Sequence, residues 1–298
     1  VSSAASDVYK RQVLTNIDHE HLDAYDGFDG LMGAFEEFAN RVPDTGRVVV
    51  CADDPVLADM SKRLAGRTLT YGIDNTAASI RAHNIVLKSD GSSCLVRLSL
   101  DEMTKEIPLH LSVPGQHNVS NALAAIATAT CLGIDTETAV NALESFTGVE
   151  RRFQRYRTWN NIDIVDDYAH HPTAVRASLQ AVRELNPSRV IVVYQPLLQS
   201  RTRDLFHEFL NAFEAADHVF LAEISSPPGR ETPLGIQSAD LANAIAHPSV
   251  QALDTFEAIV DQVLDTSTSG DLILVMGPES ITPLADQLVT KLEQGPVG

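Results

Sequence analysis

With 298 residues the chain can hold two ordinary domains and a sizeable core. Its 22 basic and 40 acidic side chains leave a net charge of −18, which argues against a nucleic-acid binder, since such proteins present a basic face. The hydrophobic content is 44%, no apolar run approaches a bilayer span, and the start carries no charged-then-apolar segment; with three scattered cysteines (Cys51, Cys94, Cys131) lacking metal-ligand spacing, this points to a cytoplasmic protein with no membrane partner.

Residues 1–12 are small, polar and aperiodic, and read as a non-native leader outside the fold. Val13-Leu14-Thr15-Asn16-Ile17 then begins abruptly, like the last part of a strand whose start is missing, and a polar loop follows through Asp23. Leu31, Phe35 and Phe38 predict an amphipathic helix over 28–42. A buried strand is expected at 47–51, and Asp53-Asp54-Pro55 opens another helix. Strands follow at 80–87, 94–100 and 105–113, the first two joined through Ser89-Asp90-Gly91-Ser92. Pro114-Gly115-Gln116-His117-Asn118 leads into an Ala-rich helix closed by Gly133, and a further helix spans 135–146.

A boundary near Thr147-Gly148-Val149 divides domains at 13–148 and 149–298. Beyond it, strands at 162–165, 190–194, 218–224 and 272–276 alternate with helices at 172–185, 203–216, 239–247, 256–264 and 281–292, the spacing of a mostly parallel, Rossmann-like sheet.

The stretch with most chemistry is Ile162-Asp163-Ile164-Val165-Asp166-Asp167-Tyr168-Ala169-His170-His171-Pro172-Thr173. A strand ending near Val165 and a helix starting at Pro172 would place two carboxylates, a phenol and two imidazoles beyond a strand's carboxyl end, where open α/β sheets bind ligands. A solvated turn is the plainer alternative. A metal site built on these residues lacks a third, separated ligand set. Arg151, Arg152, Arg155 and Arg157 are grouped, as are Arg201 and Arg203; beside a strand-end site they favour anion binding over a solvated charge run.

Five stretches stand in order: Thr15 to Asp23; Gly115-Gln116-His117-Asn118-Val119-Ser120-Asn121-Ala122; Glu150-Arg151-Arg152-Phe153; Asp166 to Thr173; and Gln195-Pro196 followed by Ser200-Arg201-Thr202-Arg203-Asp204. Together they resemble the Mur ligases, most closely the branch that joins L-alanine to UDP-N-acetylmuramate, over nearly everything from Val13 onward. The resemblance implies the remainder of a central, mixed α/β ATP-binding domain followed by the C-terminal domain. It also implies peptidoglycan precursor synthesis, with ATP and Mg2+ used to activate a carboxylate as an acyl phosphate that an amino-acid amine attacks. Such chemistry needs cations around the transferring phosphoryl group and alignment of the substrates.

By that resemblance His21 ligates magnesium, although a bond to Asp18 or Asp23 would also explain it, and Glu20 stands where the family usually has Asp. His117, Asn118 and Asn121 lie against adenine; Asn118 could instead be an N-cap. Arg152 reaches the γ-phosphate, with an interdomain salt bridge as the alternative. Asp167 binds ribose, and Tyr168, His170 and Arg201 lie near the amino acid and the muramoyl carboxylate. Two departures touch this set. Gln195-Pro196-Leu197-Leu198-Gln199 lacks the histidine that follows Gln-Pro in the family, and Gly277-Pro278-Glu279-Ser280 replaces a Gly-Ala-Gly turn, adding a charge.

No Gly-x-x-x-x-Gly-Lys-Ser/Thr occurs, so the phosphate-cradling loop and its lysine are missing, as is the domain that holds the UDP group. The chain is therefore expected to be an N-terminally truncated ligase, inactive by itself, whose partner is the missing N-terminal portion of the same enzyme. The alternatives are a murein-peptide recycling ligase and a non-catalytic nucleotide-binding module.

Overall fold

The computed structural model describes residues 10–19, 25–64, 66–88, 90–100, 103–157 and 161–293. The chain divides into two compact units, Val1–Thr147 and Gly148–Gly298.

In the first unit, β1 (Arg11–Leu14), β2 (Arg47–Cys51), β3 (Thr68–Gly72) and β4 (Ile80–Lys88) run parallel, and β5 (Gly91–Leu100) and β6 (Met103–Leu111) extend the sheet antiparallel, in the order β1-β2-β3-β4-β5-β6. Val48, Val49 and Val50 of β2 are all buried, as expected of a strand covered on both faces. In β5 and β6 the burial alternates: Cys94, Val96 and Leu98 point inward, as do Ile107, Leu109 and Leu111. This arm covers one face only.

Helices α1 (Gly27–Asn40), α2 (Pro55–Arg63), α3 (Gln116–Cys131) and α4 (Thr136–Glu144) complete the unit. The alanines of α3 let its backbone approach the sheet, and Val119, Leu123 and Ile126 are fully buried. Gly133 follows α3 with φ +73°, the left-handed conformation that closes a helix. Asp54 and Asp135 cap α2 and α4 by accepting from Leu57 N and Thr138 N.

Several expectations need correction here. β1 begins at Arg11, so Arg11 and Gln12, set aside with residues 1–12, pair with Arg47 and Val48. In α1 Leu31 is buried, but Phe38 is exposed and Ala39 takes the inward place. β3 was not anticipated, because Thr68-Leu69-Thr70 is half-buried and only Tyr71 and Gly72 are buried.

In the second unit the sheet runs β11 (Val250–Leu253), β10 (His218–Ala222), β9 (Val190–Tyr194), β12 (Leu272–Met276), β8 (Asp163–Asp167), β7 (Gln154–Arg157). All neighbours are parallel except β7 with β8. Every residue of β9 and β12 is buried, with alternate side chains entering two cores. Val190, Val192, Leu272 and Leu274 meet α5 (Pro172–Arg183), α7 (Phe206–Phe209) and α8 (Ser238–Ala244). Ile191, Val193, Ile273 and Val275 meet α9 (Phe256–Thr266) and α10 (Thr282–Glu293). This three-layer arrangement is the α/β fold expected. Its last strand, β12, returns between β8 and β9, so the strand order reverses there, and ligands bind beyond the carboxyl ends at such a point.

The helix expected over 203–216 is broken. α6 (Gln199–Asp204) starts four residues earlier and is separated from α7 by Leu205, whose φ and ψ of −104° and 19° leave the helical region. Leu205, Phe209, Ala212 and Phe213 still form one apolar stripe, which is the periodicity the sequence displays. β7 and β11 were not anticipated: both are edge strands, and edges bury too little to leave a hydrophobic pattern. No helix among the described residues is long and apolar enough to cross a membrane.

Candidate active site

β8 runs two residues beyond Val165, so Asp166 and Asp167 are buried strand residues, 3% and 7% exposed. A buried carboxylate needs partners, and each has a different set. Asp166 pairs with Arg151, whose Nε and Nη2 lie 3.1 and 3.4 Å from its two oxygens. Asp167 turns toward α5: Ser178 Oγ donates to Oδ2 at 2.7 Å, and Ala169 N donates to Oδ1 at 3.2 Å.

Arg151 ties three segments together. Besides Asp166, its Nη2 donates to the carbonyl of Gly277 after β12 at 3.0 Å, and its own carbonyl accepts from Tyr168 N at 2.8 Å. Arg151 and Phe153 both adopt φ near the left-handed region, +55° and +53°, which non-glycine residues occupy at a cost. Between them Arg152 is exposed, with its guanidinium carbon 5.1 Å from the centre of the Tyr168 ring; that of Arg151 is 5.5 Å from the same ring. These are cation–π distances.

Tyr168 meets His170 edge to face at 5.1 Å, and its hydroxyl donates to Glu279 at 3.4 Å. His170 Nδ1 lies 2.9 Å from the Tyr168 carbonyl, which can only accept, so Nδ1 donates in this bond. Tyr194 is fully buried, and its hydroxyl donates to the His170 carbonyl at 2.8 Å. Burial pushes the Tyr194 phenol far above its ordinary value, against a smaller pull from the Arg201 charge, so it remains a donor. His171 is spent as the cap of α5, accepting from Thr173 N at 3.3 Å. Among the described residues no group of three His, Cys, Asp or Glu could hold a metal.

Arg201 lies in α6, whose first turn is held by Glu231. That carboxylate accepts from Gln199 N (2.6 Å), Ser200 N (2.9 Å), Ser200 Oγ (2.7 Å) and Ser226 Oγ (2.7 Å). Burial works to raise its pKa, but these donors outweigh it and lower it to about 2. Leu198, just before α6, has φ +64°, and its carbonyl accepts from Thr202 N and Oγ1.

The first unit carries the remaining residues. His117 and Asn121 are exposed one turn apart at the start of α3. Asn118 is not the N-cap; Gly115 holds that position, and Asn118 Nδ2 donates back to the Pro114 carbonyl at 2.7 Å. The loop after β1 is anchored by Asp54, which accepts from Ile17 N at 3.0 Å, and by His19, packed edge to face on Phe28 at 4.3 Å. His21 lies outside the described residues.

Within the second unit, then, Arg152, Tyr168 and His170 come together, the charge of Arg201 is felt at Tyr194, and Asp167 turns toward α5. The sequence reading chose Arg152 but missed the supporting work of Arg151. The identical neighbouring residue types gave no signal; only the strand partner Asp166 distinguishes them. Ser178, Gln195, Ser225, Glu231 and Ser280 were also missed as site residues, since each acts through a contact distant in sequence.

A mostly parallel sheet with helices on both faces, and with arginines, an imidazole and carboxylates at its carboxyl edge, defines a three-layer α/β protein. Residues 5–129 match the Mur ligase middle domain, and residues 151–278 match the Mur ligase, glutamate ligase domain. UDP-N-acetylmuramate–L-alanine ligase of Acidobacterium capsulatum is 39% identical over 284 residues, 94% of this chain and 60% of that protein. The protein of the same name from Rhizobium etli is 37% identical over 290 residues, 94% of this chain and 61% of that protein. Among solved structures, UDP-N-acetylmuramate-alanine ligase from Thermotoga maritima has a TM-score of 0.73 at 24% identity, covering 96% of this chain and 60% of that one. MurF ligase from Thermotoga maritima in complex with ADP has a TM-score of 0.76 at 18% identity, covering 96% and 62%. At these identities the two structures speak for the fold.

The chain belongs to the Mur ligases and carries their middle and C-terminal domains. It spans about 60% of the length of the curated relatives it matches.

Proposed function

We propose that the chain from β1 at Arg11 to residue 148 is the later part of the ATP-binding domain, and residues 149–298 the C-terminal domain, of an ATP-dependent ligase of peptidoglycan precursor synthesis. The reaction is the joining of L-alanine to UDP-N-acetylmuramate through an acyl phosphate, in the cytoplasm. The partner is the N-terminal portion of the same enzyme.

The observation that carries this reading is the presentation of Arg152. Two strained residues flank it, a buried ion pair anchors the turn, and its guanidinium stands exposed over an aromatic ring. A planar, permanently charged fork held this way suits a transferring phosphoryl group. His117 and Asn121 suit an adenine edge, being exposed on one helix face. Asn118 gives one of its two amide N–H groups to the Pro114 carbonyl, so the other N–H and Oδ1 remain for the base. Asp167 fits ribose less well: each oxygen already accepts one bond, and a diol would have to use the second lone pairs. Tyr168, His170 and Arg201 would attend the amino acid and the muramoyl carboxylate. Mg2+, with His21 as the protein ligand expected, would supply charge neutralisation at the phosphates.

The test is phosphate release with ATP, Mg2+, L-alanine and UDP-N-acetylmuramate. The chain by itself should release none at an enzymatic rate, because its sequence has no phosphate-cradling loop. Adding the N-terminal portion of a complete relative as a separate chain should give release that depends on L-alanine. Release that depends on a murein peptide instead would move the reading to the recycling ligase. Nucleotide binding without release in the mixture would leave a binding module.

A further inference from the structure

Beyond the carboxyl ends of β8, β9, β10 and β12, most carboxylates are already committed: Asp166 to Arg151, Asp167 to Ser178 and Ala169, Glu231 to the first turn of α6. Glu279, in the turn after β12, is different. It is exposed, and its contact is the long 3.4 Å bond from the Tyr168 hydroxyl. A bond of that length leaves most of the carboxylate's acceptor capacity open.

The next residue, Ser280, extends this rim. Its hydroxyl donates to Gln195 Oε1 at 2.8 Å, while Gln195 Nε2 donates to the Glu223 carbonyl at 3.0 Å, which fixes the amide's orientation. Ser280 Oγ also lies 2.8 Å from Ser225 Oγ. A hydroxyl has one proton. The single proton of Ser280 is thus shared between Gln195 Oε1 and Ser225 Oγ, and Ser225 keeps its second lone pair as an acceptor. Ser225 in turn lies beside Leu197: its N–H donates to the Pro196 carbonyl and its carbonyl accepts from Leu198 N, both at 2.8 Å. The charge introduced at Glu279 and the apolar side chain at Leu197 thus lie on one rim, joined through Ser280 and Ser225. The sequence had shown them only as separate irregularities.

An open carboxylate and an acceptor hydroxyl, with no lysine or arginine among the described residues bonded to them, match a primary ammonium, which has three donors to place. A half-buried leucine beside them matches a small apolar side chain. We propose that Glu279 and Ser225 receive the ammonium group of the amino-acid substrate, and that Leu197 faces its side chain. This rests on the ligase reading above and names the residues that select the amine.

The experiment is saturation-transfer NMR and calorimetry on the full chain, titrated with L-alanine, with N-acetyl-L-alanine and with a panel of other amino acids. L-Alanine should bind saturably at millimolar concentration, and Glu279→Gln should weaken it about tenfold or more, the range for a hydrogen-bonded charge. Glu279→Asp, which keeps the charge, should fall between. Glu223→Gln, which removes an exposed carboxylate near the same sheet edge, should leave binding unchanged. N-acetyl-L-alanine, without the charge, should bind weakly and equally to all four proteins. Circular dichroism melts establish that each variant is folded. Equal affinity for Glu279→Gln and the parent, equal loss with Glu223→Gln, or no saturable binding of any amino acid would overturn the proposal. If another amino acid binds in place of alanine and Glu279→Gln weakens it, the proposal stands and the assignment of alanine fails.

Discussion

Arg151 Nε lies 3.1 Å from Asp166 Oδ2, and the two side chains are 16% and 4% exposed. The pair therefore joins the 149–153 turn to the end of β8 inside the protein. A buried pair of this kind adds little over an apolar pair of the same size, but either partner alone is a buried, uncompensated charge. Arg151→Ala or Asp166→Leu singly should destabilise the second unit by about 3–5 kcal/mol. The double replacement Arg151→Met with Asp166→Leu should cost less than either single one. Urea titration of the second unit's transition checks this, and additive losses would contradict the coupling.

Glu231 gives a pH dependence whose sign follows from its partners. Its folded pKa is lowered from 4.5 to about 2, so folding favours the carboxylate. The stabilisation it confers is fully present above the ordinary value and is lost as pH falls from about 4.5 toward 2. Amide exchange at Gln199 and Ser200 should accelerate, relative to other helix starts, across that window. Glu231→Gln should show the same loosening at neutral pH. Unaltered protection in Glu231→Gln would mean that the first turn of α6 stands without its clasp.

Much of this was legible in the sequence because the elements concerned carry strong patterns. The β-branched runs of β2, β9 and β12, the alanines of α3 and the Asp-Asp-Tyr-Ala-His-His stretch are local signals. Edge strands β7 and β11 were not legible, because half-burial erases the alternation. Nor was the early start of α6: its first turn is held by Glu231, about thirty residues downstream. Within the site, residue types were legible but not their division of labour. That Arg151 is the anchor and Arg152 the exposed group depends on two left-handed φ angles and on which guanidinium reaches Asp166.

Gly277 joins the site's two sides. Its N–H donates to the Asp167 carbonyl at 3.2 Å and its carbonyl accepts from Arg151 Nη2 at 3.0 Å. Its φ is +150°, and a Cβ there would come within 3.0 Å of both the Cβ and the carbonyl oxygen of Gln195. Gly277→Ala should therefore cost about 1–3 kcal/mol through backbone strain. It should also shift the Pro278–Ser280 turn, so that the Tyr168 to Glu279 contact is lost. Thermal unfolding and the NMR shifts of Tyr168 measure the two effects, and an unchanged melting temperature would contradict the first.

Arg152 should behave in the opposite way. It is exposed, its turn is anchored by its neighbour, and its contact with the Tyr168 ring is a surface one. Removing an exposed side chain away from caps and buried networks changes stability by about 0.5 kcal/mol or less. Under the proposed reading, however, its guanidinium meets charge that develops during phosphoryl transfer. Loss of one such electrostatic donor lowers turnover on the order of 100–1,000-fold. Arg152→Ala should then fold as well as the parent yet lose phosphate release in the two-chain assay by about that factor. Arg152→Lys should recover only part, since an ammonium keeps the charge without the planar fork. The comparison with Arg151→Ala is the informative one, because that change should lower stability first. An Arg152→Ala protein with the parent's rate would remove this residue from the phosphate site.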